Sequence, residues 1–181
     1  MQAKAATLQI GTLVPPLELP DTKGNLTTLP LPGEAPATVV FWTCNHCPYA
    51  LAWHERLTDA ARDYAVAGVR FLAVNSNDAE RHAVDSLEAM RERVANENWP
   101  FPYLRDEEQG AAVAWGPRTT PDLFVLDSEL RLRYRGAPDA DHEDPAQNAA
   151  WLRAALDAIL ANRAPEPAET EPVGCSIKWK Q

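Results

Sequence analysis

Along the chain, short unbroken apolar runs alternate with longer stretches in which apolar residues recur every three or four positions. Two of the runs, ATVVFWT (37–43) and VRFLAVNSN (69–77), are rich in β-branched and aromatic residues. Runs of that kind predict central strands buried on both faces. Between them, PYALAWHERLTDAARDYAVAG (48–68) sets Leu51, Leu57, Ala61 and Tyr64 at helical intervals and closes at Gly68. Pro48 suits the first turn of that helix, where a missing N–H is not needed. DAERHAVDSLEAMRERVANEN (78–98) predicts a second amphipathic helix, with Val84, Leu87, Met90 and Val94 on one face.

Further on, FPYLRD (101–106) reads as a short extended piece and EEQGAAVAWG (107–116) as a short helix. TPDLFVLD and LRLRYRG predict two strands joined tightly through Asp127, Ser128 and Glu129. A last helix is expected over 144–163, with Asp144 as its cap and Pro145 in its first turn. Upstream, residues 1–16 form a loose lead-in, and 17–31 hold two short extended pieces around Lys23-Gly24-Asn25, a β-hairpin signal. The end, APEPAETEPVGCSIKWKQ (164–181), starts as a Pro- and Glu-rich linker and finishes in a candidate edge strand, CSIKW.

Strand-helix-strand early and an antiparallel pair late give an α/β fold, a central mixed sheet flanked by helices on both faces. A chain of 181 residues accommodates one such domain. Residues 1–163 are expected to form it, with 164–181 as an extension against the same body. A net charge of -9 and a pI near 4.9 argue against nucleic acid as a partner, because displacing counterions from polyphosphate needs clustered Lys and Arg. No apolar stretch approaches the roughly 20 residues that cross a bilayer. The N-terminus has no apolar segment before a cleavage site, so no membrane partner and a cytoplasmic location are expected.

Against that background the three cysteines matter. An odd count in a reducing compartment is not a structural disulfide framework. Cys44 and Cys47 are two residues apart in TCNHCPY (43–49), at the carboxyl end of the first central strand and the amino end of its helix. Sites in open α/β sheets are built there. The unpaired N–H groups and positive end of the helix favour a Cys44 thiolate, the nucleophilic form, and Cys47 is one turn away. Asn45 and His46 tune the pair; a protonated His46 stabilises the thiolate and makes the couple more oxidising. Redox exchange, a metal site and two inert buried thiols are the readings that the spacing allows, and the strand-to-helix position favours the first. That chemistry runs on sulfur alone and calls for no cofactor.

A second signal is Arg118-Thr119-Thr120-Pro121 at the start of a strand, where a proline is tolerated and a cis X–Pro bond makes a sharp loop. Strand-CxxC-helix followed by TTP, a hairpin and a last helix resembles the thioredoxin-like superfamily, a three-layer sandwich. The added N-terminal hairpin is similar to its AhpC/TSA-type branch. CNHCPY, FPYLRDEEQ, RTTPDLFVLD and GCSIKWK resemble a bacterial group of thiol-disulfide isomerase or thioredoxin-family proteins. The resemblance implies a nucleophilic Cys44, a resolving Cys47 and a cis Thr120–Pro121 bond facing them, with Thr120 pairing by its backbone to a substrate strand. The implied partners are a disulfide-containing protein or a low-molecular-weight thiol, and a reducing system that resets the pair.

The chain departs from that pattern in places. The strand beneath the cysteines carries no carboxylate, so the proton relay of thioredoxins falls to water, His46 or an acid elsewhere. A thiol peroxidase of the peroxiredoxin kind is an alternative, weakened because Phe41 stands where Thr or Ser would polarise a peroxide. A Cu- or Zn-binding metallochaperone-like module is another, with His142 as a distant ligand and the cysteines one residue closer together than in that group. Cys175 is either a small apolar residue of an edge strand or a third redox thiol near the CxxC.

Overall fold

The computed structural model describes residues 7–181; the first six residues of the expected lead-in lie outside this range. In chain order the elements are β1 (Glu18–Pro20), β2 (Leu26–Thr28), β3 (Ala37–Trp42), α1 (Pro48–Ala65), β4 (Arg70–Asn75), α2 (Leu87–Glu97), β5 (Tyr103–Arg105), α3 (Gly110–Trp115), β6 (Asp122–Asp127), β7 (Leu132–Gly136) and α4 (Ala150–Leu160). β1 and β2 make the antiparallel hairpin. The other strands form one sheet in the order β5-β4-β3-β6-β7, parallel across β5, β4 and β3 and antiparallel across β3, β6 and β7.

The axis of the sheet is β3, whose six residues are all buried. Successive side chains of a strand point to opposite faces, so β3 feeds two cores. Ala37, Val39 and Phe41 meet Trp53 and Leu57 of α1, Met90 of α2, and Leu152, Leu156 and Ile159 of α4. Val40 and Trp42 turn the other way, onto Leu17, Ala112 and Trp115 of α3, and Ile177 near the C-terminus. The second face is thus closed partly by irregular chain rather than by helices alone. No helix among the described residues is long and apolar enough to cross a membrane.

Several elements differ from the sequence reading. Leu51 is largely exposed, and the buried stripe of α1 is carried by Ala50, Trp53, Leu57, Ala60 and Ala61. The second helix starts only at Leu87, where the Ser86 hydroxyl accepts from Ala89 N–H at 3.2 Å and caps it. Before it lies a single 3-10 turn, Ala83–Asp85, in which Val84 is exposed and Asp85 fully buried. That inverts the expected burial, because buried donors draw the carboxylate inward. Asp144 does not cap the last helix. It closes a local turn by accepting from Ala146 N–H at 2.9 Å, while the Asp139 carboxylate takes the N–H of Ala149 at 2.8 Å. CSIKW forms no edge strand. It makes one isolated antiparallel bridge, Cys175 with Thr120, and the backbone of Lys178 bonds to the Asn77 and Gln109 side chains and the Asp78 N–H.

Candidate redox site

The chain leaves β3 at Trp42, whose indole N–H donates to Ser76 Oγ at 2.9 Å, and enters α1 at Pro48 with Cys47 as the cap residue. Between them the turn is held from several sides. Arg93 Nη1 donates to the Cys44 carbonyl at 3.0 Å, and Asn45 N–H donates to Asp85 Oδ1 at 2.7 Å. The Asn45 amide donates to the Val84 carbonyl at 2.9 Å and accepts from Tyr103 OH at 3.0 Å. Asn45 therefore anchors the turn.

Cys44 and Cys47 are free thiols with almost no exposed surface, 1% and 0%. The Thr120–Pro121 peptide is cis and faces them. Thr120 Oγ1 lies 3.5 Å from Cys44 Sγ, and the Thr120 carbonyl oxygen lies 3.0 Å from Cys47 Sγ. Cys175 is half-buried and sits against the same cluster with Ala50 and Tyr49. Of the two CxxC thiols it is Cys47 whose proton affinity Cys175 alters.

The two CxxC thiols titrate as a linked pair, each shifting the other. Cys47 is drawn below the ordinary thiol range by its interaction with Cys44, with help from the Cys175 thiol, Thr120 and the Ala50 amide. Cys44 is pushed above that range by sharing its proton with Cys47, by burial and by the Asp85 carboxylate. The Thr120 hydroxyl and His46 N–H act the other way, favouring charge on Cys44. The Cys47 S–H is placed to donate to the Thr120 carbonyl at 3.0 Å. Burial, with Cys47 as the second cause, pushes the Cys175 thiol up to about 11.

The carboxylate missing from β3 is supplied by Asp85, whose side chain is fully buried. Its oxygens accept from Asn45 N–H and from the amides of Asn75 at 3.2 Å and Asn77 at 2.9 Å. His46 Nδ1 lies 2.7 Å from Asp85 Oδ2, a close charge contact too oblique to be a hydrogen bond. The outer face of the His46 ring stacks on His82, with centroids 5.5 Å apart. Sequence reasoning missed Asp85, Arg93 and Tyr103. The polar run Asn75-Ser76-Asn77-Asp78 directly after a buried strand is the one local signal that a polar site lies at this end of the sheet.

Ligand atoms of Cys44, His46 and Asp85 lie within 4.8 Å of one another, the one grouping among the described residues with that geometry. His142 does not join it. Its ring lies against Tyr49 and Trp53, at centroid distances of 4.4 and 5.4 Å.

Comparison with known proteins gives this geometry a family. No curated protein matches the chain in sequence. The crystal structure of a hypothetical protein from Sinorhizobium meliloti 1021 is 37% identical, with a TM-score of 0.90 over 97% of both chains. An uncharacterized conserved protein from Geobacillus kaustophilus is likewise 37% identical, with a TM-score of 0.90 over 98% of this chain and 96% of its own. A secreted disulfide oxidoreductase of Mycobacterium tuberculosis shares the fold at 15% identity, with a TM-score of 0.58 over 81% of this chain and 95% of its own. The fold is the thioredoxin-like one that the motifs led us to expect. The AhpC/TSA family model matches residues 10–135, more than half of the sequence, and the chain belongs to the AhpC/TSA family.

Proposed function

We propose that the protein is a thiol-disulfide oxidoreductase, in which Cys44 attacks a substrate disulfide and Cys47 resolves the mixed disulfide. The observation that carries this reading is the sulfur pair at the β3–α1 junction, set against both the hydroxyl and the carbonyl of Thr120. Loss of the Cys44 proton creates the nucleophile. The Cys44 thiolate then accepts from the Thr120 hydroxyl and the His46 amide, and the Cys47 thiol donates to the Thr120 carbonyl. Attack on a substrate disulfide forms a Cys44–substrate bond and releases one substrate thiolate. Cys47 then attacks Cys44 Sγ, its proton passing to the departing sulfur, which releases the second half of the substrate as a thiol and leaves a Cys44–Cys47 disulfide for an external reductant. The family acts broadly on thiol and disulfide substrates, which fits this class of partner.

The expected result is turnover of a low-molecular-weight disulfide by the wild type and none by Cys44→Ser. Cys47→Ser should accumulate a mixed disulfide on Cys44, visible by intact-protein mass spectrometry. Full activity in Cys44→Ser would overturn the mechanism.

Metal capture is the second reading, favoured by the Cys44, His46 and Asp85 grouping. Weighing against it, three donors and the His46 contact already occupy the Asp85 oxygens. Stoichiometric Cu or Zn in the purified reduced protein, lost on Cys44→Ala, would support metal capture. A peroxidase reading finds less support, because Phe41 is an apolar core residue with no hydroxyl to polarise a peroxide.

A further inference from the structure

The C-terminal segment is seated where an incoming strand would meet Thr120. Thr120 donates its N–H to the Cys175 carbonyl at 2.8 Å, and the two residues pair as an antiparallel bridge. Gly174 lies so close that a Cβ on it would collide with the Thr120 carbonyl. On the C-terminal side, Lys178 donates its N–H to Asn77 Oδ1 at 2.8 Å, and its carbonyl accepts from Asp78 N–H at 2.8 Å and the Gln109 amide at 2.9 Å. Ile177 between them is buried in the second core. With the Thr120 N–H bonded to Cys175 and its carbonyl facing Cys47, an extended chain finds neither group free. The segment also delivers a sulfur, the Cys175 thiol packed against Cys44, Cys47 and Ala50, with Cys47 the thiol it interacts with.

We propose that residues 173–177 are a resident substrate strand whose Cys175 is a third redox thiol, receiving the disulfide from the CxxC by exchange at Cys47. The proposal rests on the thiol-disulfide reading above. In this step Cys175 sulfur attacks Cys47 Sγ of the Cys44–Cys47 disulfide. The Cys44–Cys47 bond breaks, a Cys47–Cys175 bond forms, and the Cys175 proton passes to the departing Cys44 sulfur. Nothing is oxidised or reduced overall, so the step needs no co-reactant. The electrostatics run with it: once Cys47 is in a disulfide it carries no charge, and one of the causes that hold the Cys175 proton is gone. Cys44 is left reduced while the oxidised bond sits on the half-buried tail. Because the Thr120 edge is filled, the substrate that reaches Cys44 is a low-molecular-weight disulfide rather than an extended protein strand.

The test is oxidation of the full-length variants by oxidised glutathione, followed by tryptic mapping. Cys44 and Cys47 fall in the peptide 24–56 and Cys175 in 164–178. In Cys44→Ser, the two peptides are expected to be joined in most molecules; glutathione adducts without the cross-link would overturn the proposal. In Cys47→Ser the cross-link should fall to background, and equal yields in the two variants would overturn the assignment of Cys47 as the exchanging partner. Gly174→Ala on the Cys44→Ser background lifts the tail from Thr120 and should lose most of the cross-link; an unchanged yield would overturn the docking. Cys175→Ser separates the two layers. Formation there of an internal disulfide within 24–56 upholds the redox CxxC whatever the tail does, and its absence overturns that reading together with the proposal.

Discussion

Replacing Asp85 by alanine is expected to lower stability by about 3–5 kcal/mol, because each buried donor left without an acceptor costs roughly 1–3 kcal/mol. Removing the carboxylate orphans the Asn45 N–H and the Asn77 amide and leaves the Asn75 amide only the Tyr103 hydroxyl. The damage falls on the turn between the cysteines, since Asn45 lies between Cys44 and His46. Urea unfolding measures the loss, and a change below about 1 kcal/mol would mean that water replaces the carboxylate fully. Asp85→Asn separates charge from shape. The carboxylate is one of the causes that raise Cys44, so the neutral amide should move the Cys44 ionisation of the reduced protein to lower pH, followed by thiolate ultraviolet absorbance. An upward shift would mean that Asp85 acts through turn geometry and not through its charge.

The parts of this site that could be read from the sequence are those fixed within a few residues. β3, the CxxC and Pro48 form one contiguous stretch whose strand, turn and helix start each follow from local pattern. Thr120-Pro121 was legible as a turn entering a strand. Asp85 was not, because a single acid in HAVDS fits a helix face as well as it fits a buried hub. Its role appears only when α2 and β4 bring Asn75, Asn77 and Asn45 around it. Arg93 is similar: three or four residues from Met90 and Glu97 it reads as a solvated charge, yet it reaches the Cys44 carbonyl and lies 5.0 Å over the Trp99 ring. The tail was readable as a segment and misread as a strand, since beyond single backbone bonds to Thr120 and Asp78 it is held by the Asn77 and Gln109 side chains, which no periodicity reveals.

The other large effect is expected at the buried pair below Thr120. Arg135 and Asp122 are both fully buried, joined through Nη2 and Oδ2 at 3.3 Å. Asp122 Oδ2 also accepts from Arg118 N–H at 2.9 Å, tying down the loop that carries Thr120. Arg135 Nη2 donates in addition to the Gly116 carbonyl at 2.6 Å, and its guanidinium lies 4.8 Å over the Phe124 ring. Arg135→Met should therefore lose about 3–5 kcal/mol near neutral pH, the effect of leaving one buried charge without its partner. The pH dependence then identifies the cause. Burial already pushes Asp122 up to about 6 from its ordinary 3.8, with Arg135 holding it back from rising further. A carboxyl raised on folding binds its proton more tightly in the native state, so its ionisation opposes folding above about pH 6 and that penalty is relieved as pH falls toward about 4. Without Arg135 the Asp122 carboxyl rises further, and relief begins at higher pH. The gap between variant and wild type should thus narrow between about pH 7 and about pH 5. A gap that stays constant would assign the loss to the missing Phe124 and Gly116 contacts instead. The double variant Arg135→Met, Asp122→Leu, which removes both charges, should regain much of the stability at neutral pH while losing the Arg118 tether. In that variant a stable fold with slowed disulfide turnover would locate the pair's purpose in holding Thr120 against the cysteines.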